Sequence, residues 1–155
     1  MNDDVNLKKE NEINNGYDTV IFRLIKDKKN IGVAEIRNHP KEKVSELSYI
    51  HIDDEYRKRG LSDRLMKESI KEIDSKGYVG KLELVTNESN VPKLKHIYKK
   101  YGFKECGSKI CVTEKDKEEL SCTIPYLREG KDYKKNSKEY QSEKEKWCNR
   151  KKKKR

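Results

Sequence analysis

Apolar residues along this chain come in short runs divided by charged turns. Thr19 to Ile25 is rich in β-branched and aromatic residues, which predicts a strand. The cluster Asp27-Lys28-Lys29-Asn30 reads as a turn into a second strand, Ile31 to Arg37, so the two make a hairpin. Ser45 to Ile52 is a third strand with a broken alternation: Leu47 and Tyr49 lie in one phase, Ile50 and Ile52 in the other. A period of two that slips by one residue predicts a β-bulge near Tyr49 and Ile50.

The period then changes. Leu61, Leu65, Met66, Ile70 and Ile73 follow helical spacing over Leu61 to Lys76, and Gly77 supplies the stop. Lys81 to Thr86 alternates as a fourth strand, and Pro92 to Tyr101 carries Leu94, Ile97, Tyr98 and Tyr101 on one helical stripe closed by Gly102. Phe103 to Thr113 and Leu120 to Leu127 read as two more strands, joined by the charged turn Glu114 to Glu119. The expected order is β-β-β-α-β-α-β-β. This is an α/β (α+β) fold with a mixed, mostly antiparallel sheet, two main helices and one parallel crossover.

Charge changes the picture at the two ends. Residues 1–16 are polar and Asn-rich, and residues 128–155 carry 13 Lys or Arg against 5 Asp or Glu, so eight of the ten net positive charges lie in that tail. The expected organisation is a polar segment over 1–16, one domain over 17–127, and a basic tail over 128–155 that is partly helical or disordered. The four cysteines form no C-x-x-C pair and the three histidines are scattered, which predicts no metal site. No signal peptide or membrane-length apolar run is present. Reduced thiols and a cytoplasmic or nuclear location are therefore expected.

Chemistry concentrates in Asp53-Asp54-Glu55-Tyr56-Arg57-Lys58-Arg59-Gly60-Leu61-Ser62, a basic loop that runs from a strand straight into a helix. Backbone N–H groups at a helix start have no intrahelical acceptor and the helix dipole adds positive potential there, an arrangement suited to phosphate oxygens. Gly60 lets an anion approach the backbone, and Arg57, Lys58 and Arg59 add charge.

With Arg57, Gly60 and Ser62 in the spacing Arg-x-x-Gly-x-Ser, and Ile97-Tyr98-Lys99-Lys100-Tyr101-Gly102-Phe103 behind it, the segment Glu46 to Phe103 resembles the coenzyme-A-binding core of the GNAT superfamily of N-acetyltransferases. The resemblance implies acetyl-CoA as acyl donor, with its pyrophosphate on the loop Arg57, Lys58, Arg59, Gly60, Leu61 and Ser62. Its pantetheine arm would pair with backbone groups of Ile50, His51 and Ile52 where two central strands splay at the bulge. Tyr98, five residues before Phe103, stands where many members carry the acid that protonates the departing thiolate. Glu46, eleven residues before Arg57, stands where the histone-acetylating branch carries its base. His51, Glu83 or a water relay are the other candidates for that role.

The chain departs from the family at several points. Ser62 replaces the small Gly or Ala of the signature, Lys58 stands where glycine is frequent, and Asn90 is one residue out of register, a helix cap and candidate cofactor contact. The strand and two helices that usually precede the first hairpin are missing or shortened. An open acceptor face suits a protein or peptide amine, on lysine or the N-terminus, better than an enclosed small molecule. The run Arg150 to Arg155 fits an import signal, a nucleic-acid or ribosome anchor, or a solvated end, with no membrane partner. A catalytically inactive GNAT-like adaptor that binds nucleic acid or chromatin through this tail is the alternative reading.

Overall fold

The computed structural model describes residues 4–14, 16–86, 91–113 and 120–150. The chain divides into two compact units, Met1–Tyr78 and Val79–Arg155.

In the first unit four strands pair antiparallel in chain order: β1 (Asn6–Asn14), β2 (Tyr17–Lys26), β3 (Lys29–His39) and β4 (Val44–Ile52). Lys26 pairs with Lys29, so the β2–β3 loop is Asp27-Lys28, and both have positive φ, the two-residue turn whose twist matches antiparallel strands. The bulge on β4 falls on Ser48, one residue before its expected place: Tyr49 pairs with Glu35 and Leu47 with Ile36. The extra residue resolves the broken alternation. Leu47, Ile50 and Ile52 all join the face of Ile36, Ala34 and Gly32, while Glu46, Tyr49 and His51 point the other way.

The helix α1 (Leu61–Lys76) forms over the predicted span and packs against β2, β3 and β4. Its buried stripe is Leu61, Leu65, Met66, Ser69, Glu72 and Ile73. Gly77 ends it in the left-handed conformation, its N–H donating to the Ile73 and Asp74 carbonyls. Glu72 is buried but partnered: it accepts from Asn38 Nδ2 at 3.1 Å and pairs with Lys9 Nζ at 3.3 Å, and Ser45 Oγ donates to Asn38 Oδ1 at 2.6 Å.

The strand β1 corrects the reading of residues 1–16 as a polar lead-in. It is an edge strand, so few of its side chains are buried and its hydrophobic signal is weak; backbone pairing with β2 and ion pairs from Lys9 to Glu72 and Arg23 to Glu10 hold it. Arg64 of α1 also donates to the Val5 carbonyl at 2.9 Å. Only two residues join β1 to β2.

The second unit holds β5 (Val79–Val85), α2 (Val91–Lys100), β6 (Lys104–Glu105), β7 (Ile110–Thr113), β8 (Leu120–Arg128) and α3 (Ser137–Lys146). The strands β5, β6 and β7 all pair antiparallel with β8. The single strand expected over Phe103 to Thr113 is broken at residues 106–109, and the turn expected at Glu114 to Glu119 lies outside the described residues.

The region expected as a basic tail includes the helix α3, and its described residues up to Arg150 are tied down. Lys81 and Glu143 form an ion pair at 3.1 Å, and Trp147 donates from its indole N–H to the Tyr126 carbonyl at 3.2 Å. Lys81 and Arg150 each lie within 5 Å of the Trp147 ring centre, at 4.6 and 4.7 Å. The thiols are not reduced, as the sequence had suggested, but paired as Cys106–Cys148 and Cys111–Cys122. The physical reason is register: Cys111 and Cys122 are cross-strand partners in β7 and β8, and the docked C-terminal segment brings Cys148 to Cys106. No described helix is long and apolar enough to cross a membrane.

Candidate active site

The loop between β4 and α1 is built by one tight turn and one left-handed glycine. Asp54–Tyr56 form a single 3-10 turn: Tyr56 N–H donates to the Asp53 carbonyl and Arg57 N–H to the Asp54 carbonyl, and Glu55 pairs with Lys29 of β3 at 3.1 Å. Lys58 then takes φ 65°, Gly60 takes φ 77°, and α1 begins at Leu61. The first helical hydrogen bond runs from Arg64 N–H to the Gly60 carbonyl at 3.2 Å, and no side chain caps the helix start. The amides of Leu61 and Ser62 precede that bond, with the positive end of a 16-residue helix behind them.

Space agrees with this reading. A Cβ built on Gly60 meets nothing within 4 Å, so the backbone is open to an approaching group. Lys58, Arg59 and Gly60 are exposed, Ser62 is half-buried, and Leu61 is buried beneath them as the helix's first core residue. These residues fit a phosphate-bearing donor.

Arg57 makes two local contacts. Its Nε donates to the Ile52 carbonyl at 3.1 Å and its Nη2 lies 3.2 Å from Asp54 Oδ1. The guanidinium braces the loop against the end of β4. Arg59 stands 5.4 Å from the centre of the Tyr56 ring.

On β4, Ile52 is buried, Ile50 half-buried, and His51 faces outward with Glu46. His51 stacks beside Tyr49, ring centres 6.2 Å apart, and its Nε2 lies 3.7 Å from Asp53 Oδ1. Glu46 Oε1 is 3.5 Å from His39 Nε2, and the His39 ring tilts against Tyr17. The slipped alternation signalled this outward face, but Tyr49, exposed and beside His51, was not singled out for it.

In the second unit Tyr98 is buried, edge-on to Phe103 and Tyr126 at 6.3 and 5.8 Å. Burial, then the Glu105 carboxylate, push the Tyr126 phenol above its ordinary pKa. Glu83 on β5 lies 3.8 Å from Arg150 Nε. Asn90 lies outside the described residues.

The family model for the acetyltransferase (GNAT) domain matches residues 4–114. The chain belongs to the GNAT acetyltransferase family. It is an acetyl-CoA-dependent acetyltransferase with the family's mixed α/β fold. Solved structures agree in fold. The ribosomal-protein-S18-alanine N-acetyltransferase from Escherichia coli superposes with a TM-score of 0.59 at 19% identity, over 75% of this chain and 70% of that one. A GNAT family acetyltransferase from Elizabethkingia anophelis with acetyl-CoA bound gives 0.57 at 14%, over 81% and 98%. Nourseothricin acetyltransferase gives 0.55 at 17%, over 71% and 64%. No curated protein matches this GNAT chain in sequence.

Proposed function

We propose that this GNAT chain moves the acetyl group of acetyl-CoA directly to a primary amine of a protein or peptide, on a lysine side chain or an N-terminus. The observation that carries the proposal is the uncapped start of α1 behind the left-handed Gly60. Main-chain amides of Leu61 and Ser62 would hold the pyrophosphate, with Lys58 and Arg59 lending charge and Arg57 holding the loop to β4. The main chain of Ile50, His51 and Ile52 would receive the pantetheine arm, and Asn90 is kept as a candidate cofactor contact. The bound donor supplies an activated acyl group.

The residues of the chain then handle protons. An amine is protonated near neutral pH and attacks only as the free base, so a base must take its proton. Two residues on the outward face of β4 suit that task. Glu46 is the one expected from the family resemblance, and it is shared with His39 at 3.5 Å. His51 stands further along the strand with Asp53 near its Nε2. Tyr98 would return a proton to the departing sulfur, its ring held edge-on by Phe103 and Tyr126.

A macromolecular acceptor is supported by the direct β1–β2 connection, which leaves no helix between those strands, and by Tyr49, which stays 51% exposed beside His51. The similar enzyme from Escherichia coli acts, by its name, on an alanine of a ribosomal protein. The test is incubation with acetyl-CoA and three acceptor pools: lysine peptides blocked at the N-terminus, lysine-free peptides with a free N-terminus, and small polyamines. Thiol release with acetylation of either peptide pool is expected. Acetylation of the small amines alone would overturn the substrate class.

A further inference from the structure

The second unit carries a cavity that the acetyl-transfer residues do not use. It has a volume of about 180 Å³ and lies where α2 ends, β8 ends and α3 begins, lined by Tyr101, Lys104, Arg128, Glu129 and Tyr140 among others. Beside it runs the loop Lys131-Asp132-Tyr133-Lys134-Lys135, exposed at every position, with Tyr133 54% exposed.

We propose that this cavity and loop bind a single strand of nucleic acid, one base entering the cavity and the neighbouring phosphates lying on the lysines. Over residues 99–105 and 128–135 there are seven Lys or Arg and three Asp or Glu, a local excess of four positive charges. Cation excess alone describes many surfaces. Here it comes with tyrosines: Tyr133 displayed on the loop, and Tyr101 and Tyr140 in the cavity wall. A cationic track with interleaved aromatic rings is the chemistry that holds stacked bases and their backbone together.

Glu129 decides what enters the cavity. A carboxylate in the wall repels a bare phosphate but accepts hydrogen bonds from the N–H edge of a base. Burial, then Glu129, push the Tyr140 phenol above its ordinary pKa, so that wall is a neutral ring and donor. Lys100 Nζ sits 5.5 Å from the centre of the Tyr101 ring.

The loop is held in place before any ligand arrives. Asn136 is buried and its N–H donates to the Asp132 carbonyl at 2.9 Å; Tyr140 N–H donates to the Asn136 carbonyl at 2.8 Å. At the other side Arg128 Nε donates to the Tyr101 carbonyl at 2.8 Å. A surface ordered in advance loses less entropy on binding. This separates the proposal from the basic run at Lys151 to Arg155, which any polyanion attracts.

The test is fluorescence anisotropy of the full chain with labelled single-stranded RNA and DNA oligonucleotides across a salt series. Three variants are compared after matching their melting curves to wild type: Tyr133→Ala, Lys134→Glu with Lys135→Glu, and the five residues 151–155 changed to serine. Tyr133→Ala should weaken binding on the order of tenfold with the salt slope kept, since stacking is uncharged. The double lysine variant should weaken it further and flatten the slope by roughly 0.7 per lost phosphate contact. The serine variant should still bind, and adding Tyr133→Ala to it should weaken that binding again, on the order of tenfold. Wild-type affinity in Tyr133→Ala, an unchanged slope in the double lysine variant, or preference for an acidic peptide over both oligonucleotides overturns the proposal.

Discussion

Arg57 donates from Nε to the Ile52 carbonyl at 3.1 Å, so the residue that opens the signature loop is tied to the strand that precedes it. The same guanidinium meets Asp54 at 3.2 Å. One planar fork thus holds both ends of the 3-10 turn, and the following amides are held in place by it. Arg57→Ala should cost about 1–2 kcal/mol, as expected for a half-buried charged hydrogen bond, and should weaken acetyl-CoA binding as well. Arg57→Lys should not restore either, because an ammonium cannot match the fork. Chemical denaturation with and without acetyl-CoA measures both effects.

Tyr98 provides the kinetic prediction. Its ring is fixed edge-on between Phe103 and Tyr126, so Tyr98→Phe removes a hydroxyl and leaves the packing intact. Turnover should fall by about a hundredfold or more with acetyl-CoA affinity unchanged, the signature of lost acid catalysis. Steady-state kinetics beside calorimetric titration checks it; equal turnover would remove Tyr98 from the chemistry.

The buried polar cluster beneath α1 gives a stability contrast. Asn38 links Glu72 and Ser45 at 3.1 and 2.6 Å, all three buried. Asn38→Ala leaves both partners short of a hydrogen bond and should destabilise by about 1–3 kcal/mol. Lys71→Ala, which breaks an exposed pair with Glu68 at 3.4 Å, should change stability by less than about 1 kcal/mol. Urea midpoints at constant slope measure the two.

The disulfide Cys106–Cys148 closes a loop over a sequence separation of 42. Cys148→Ser should cost about 2–4 kcal/mol, mainly by freeing the unfolded chain, and should expose the C-terminal segment to proteases. Gly107→Ala should do similar damage for another reason: a Cβ there collides with the Cys148 carbonyl. Limited proteolysis with and without reductant reads both. Equal resistance in the reduced protein would contradict the clamp.

The helix α1, the β2–β3 hairpin and the glycine that opens α1 were legible because each rests on local chemistry: a 3.6-residue period, a two-residue turn, a left-handed position. The strand β1 was not, because an edge strand buries little and Lys8, Lys9, Glu10 and Glu12 hide its pairing. The docking of Trp147 and Cys148 was hidden too, because a Lys-rich segment reads as solvated until Lys81, Tyr126 and Cys106 are brought to it by the fold. For the candidate site, the position of Arg57 was legible but its bond to the Ile52 carbonyl was not, because that contact depends on the path of the turn. The bulge was visible as a slip in alternation, and only strand pairing placed it on Ser48.

The central claim is that open amides behind Gly60 hold the donor's phosphates, and acetyl-CoA's effect on melting tests it most directly. At a hundred times the dissociation constant, wild type should gain about 2.7 kcal/mol of stability. Gly60→Asp, which sets a carboxylate and a strained left-handed residue at the helix start, should show no gain, while Gly60→Asn, better tolerated at φ 77°, keeps part of it. An equal gain in wild type and Gly60→Asp would contradict the account.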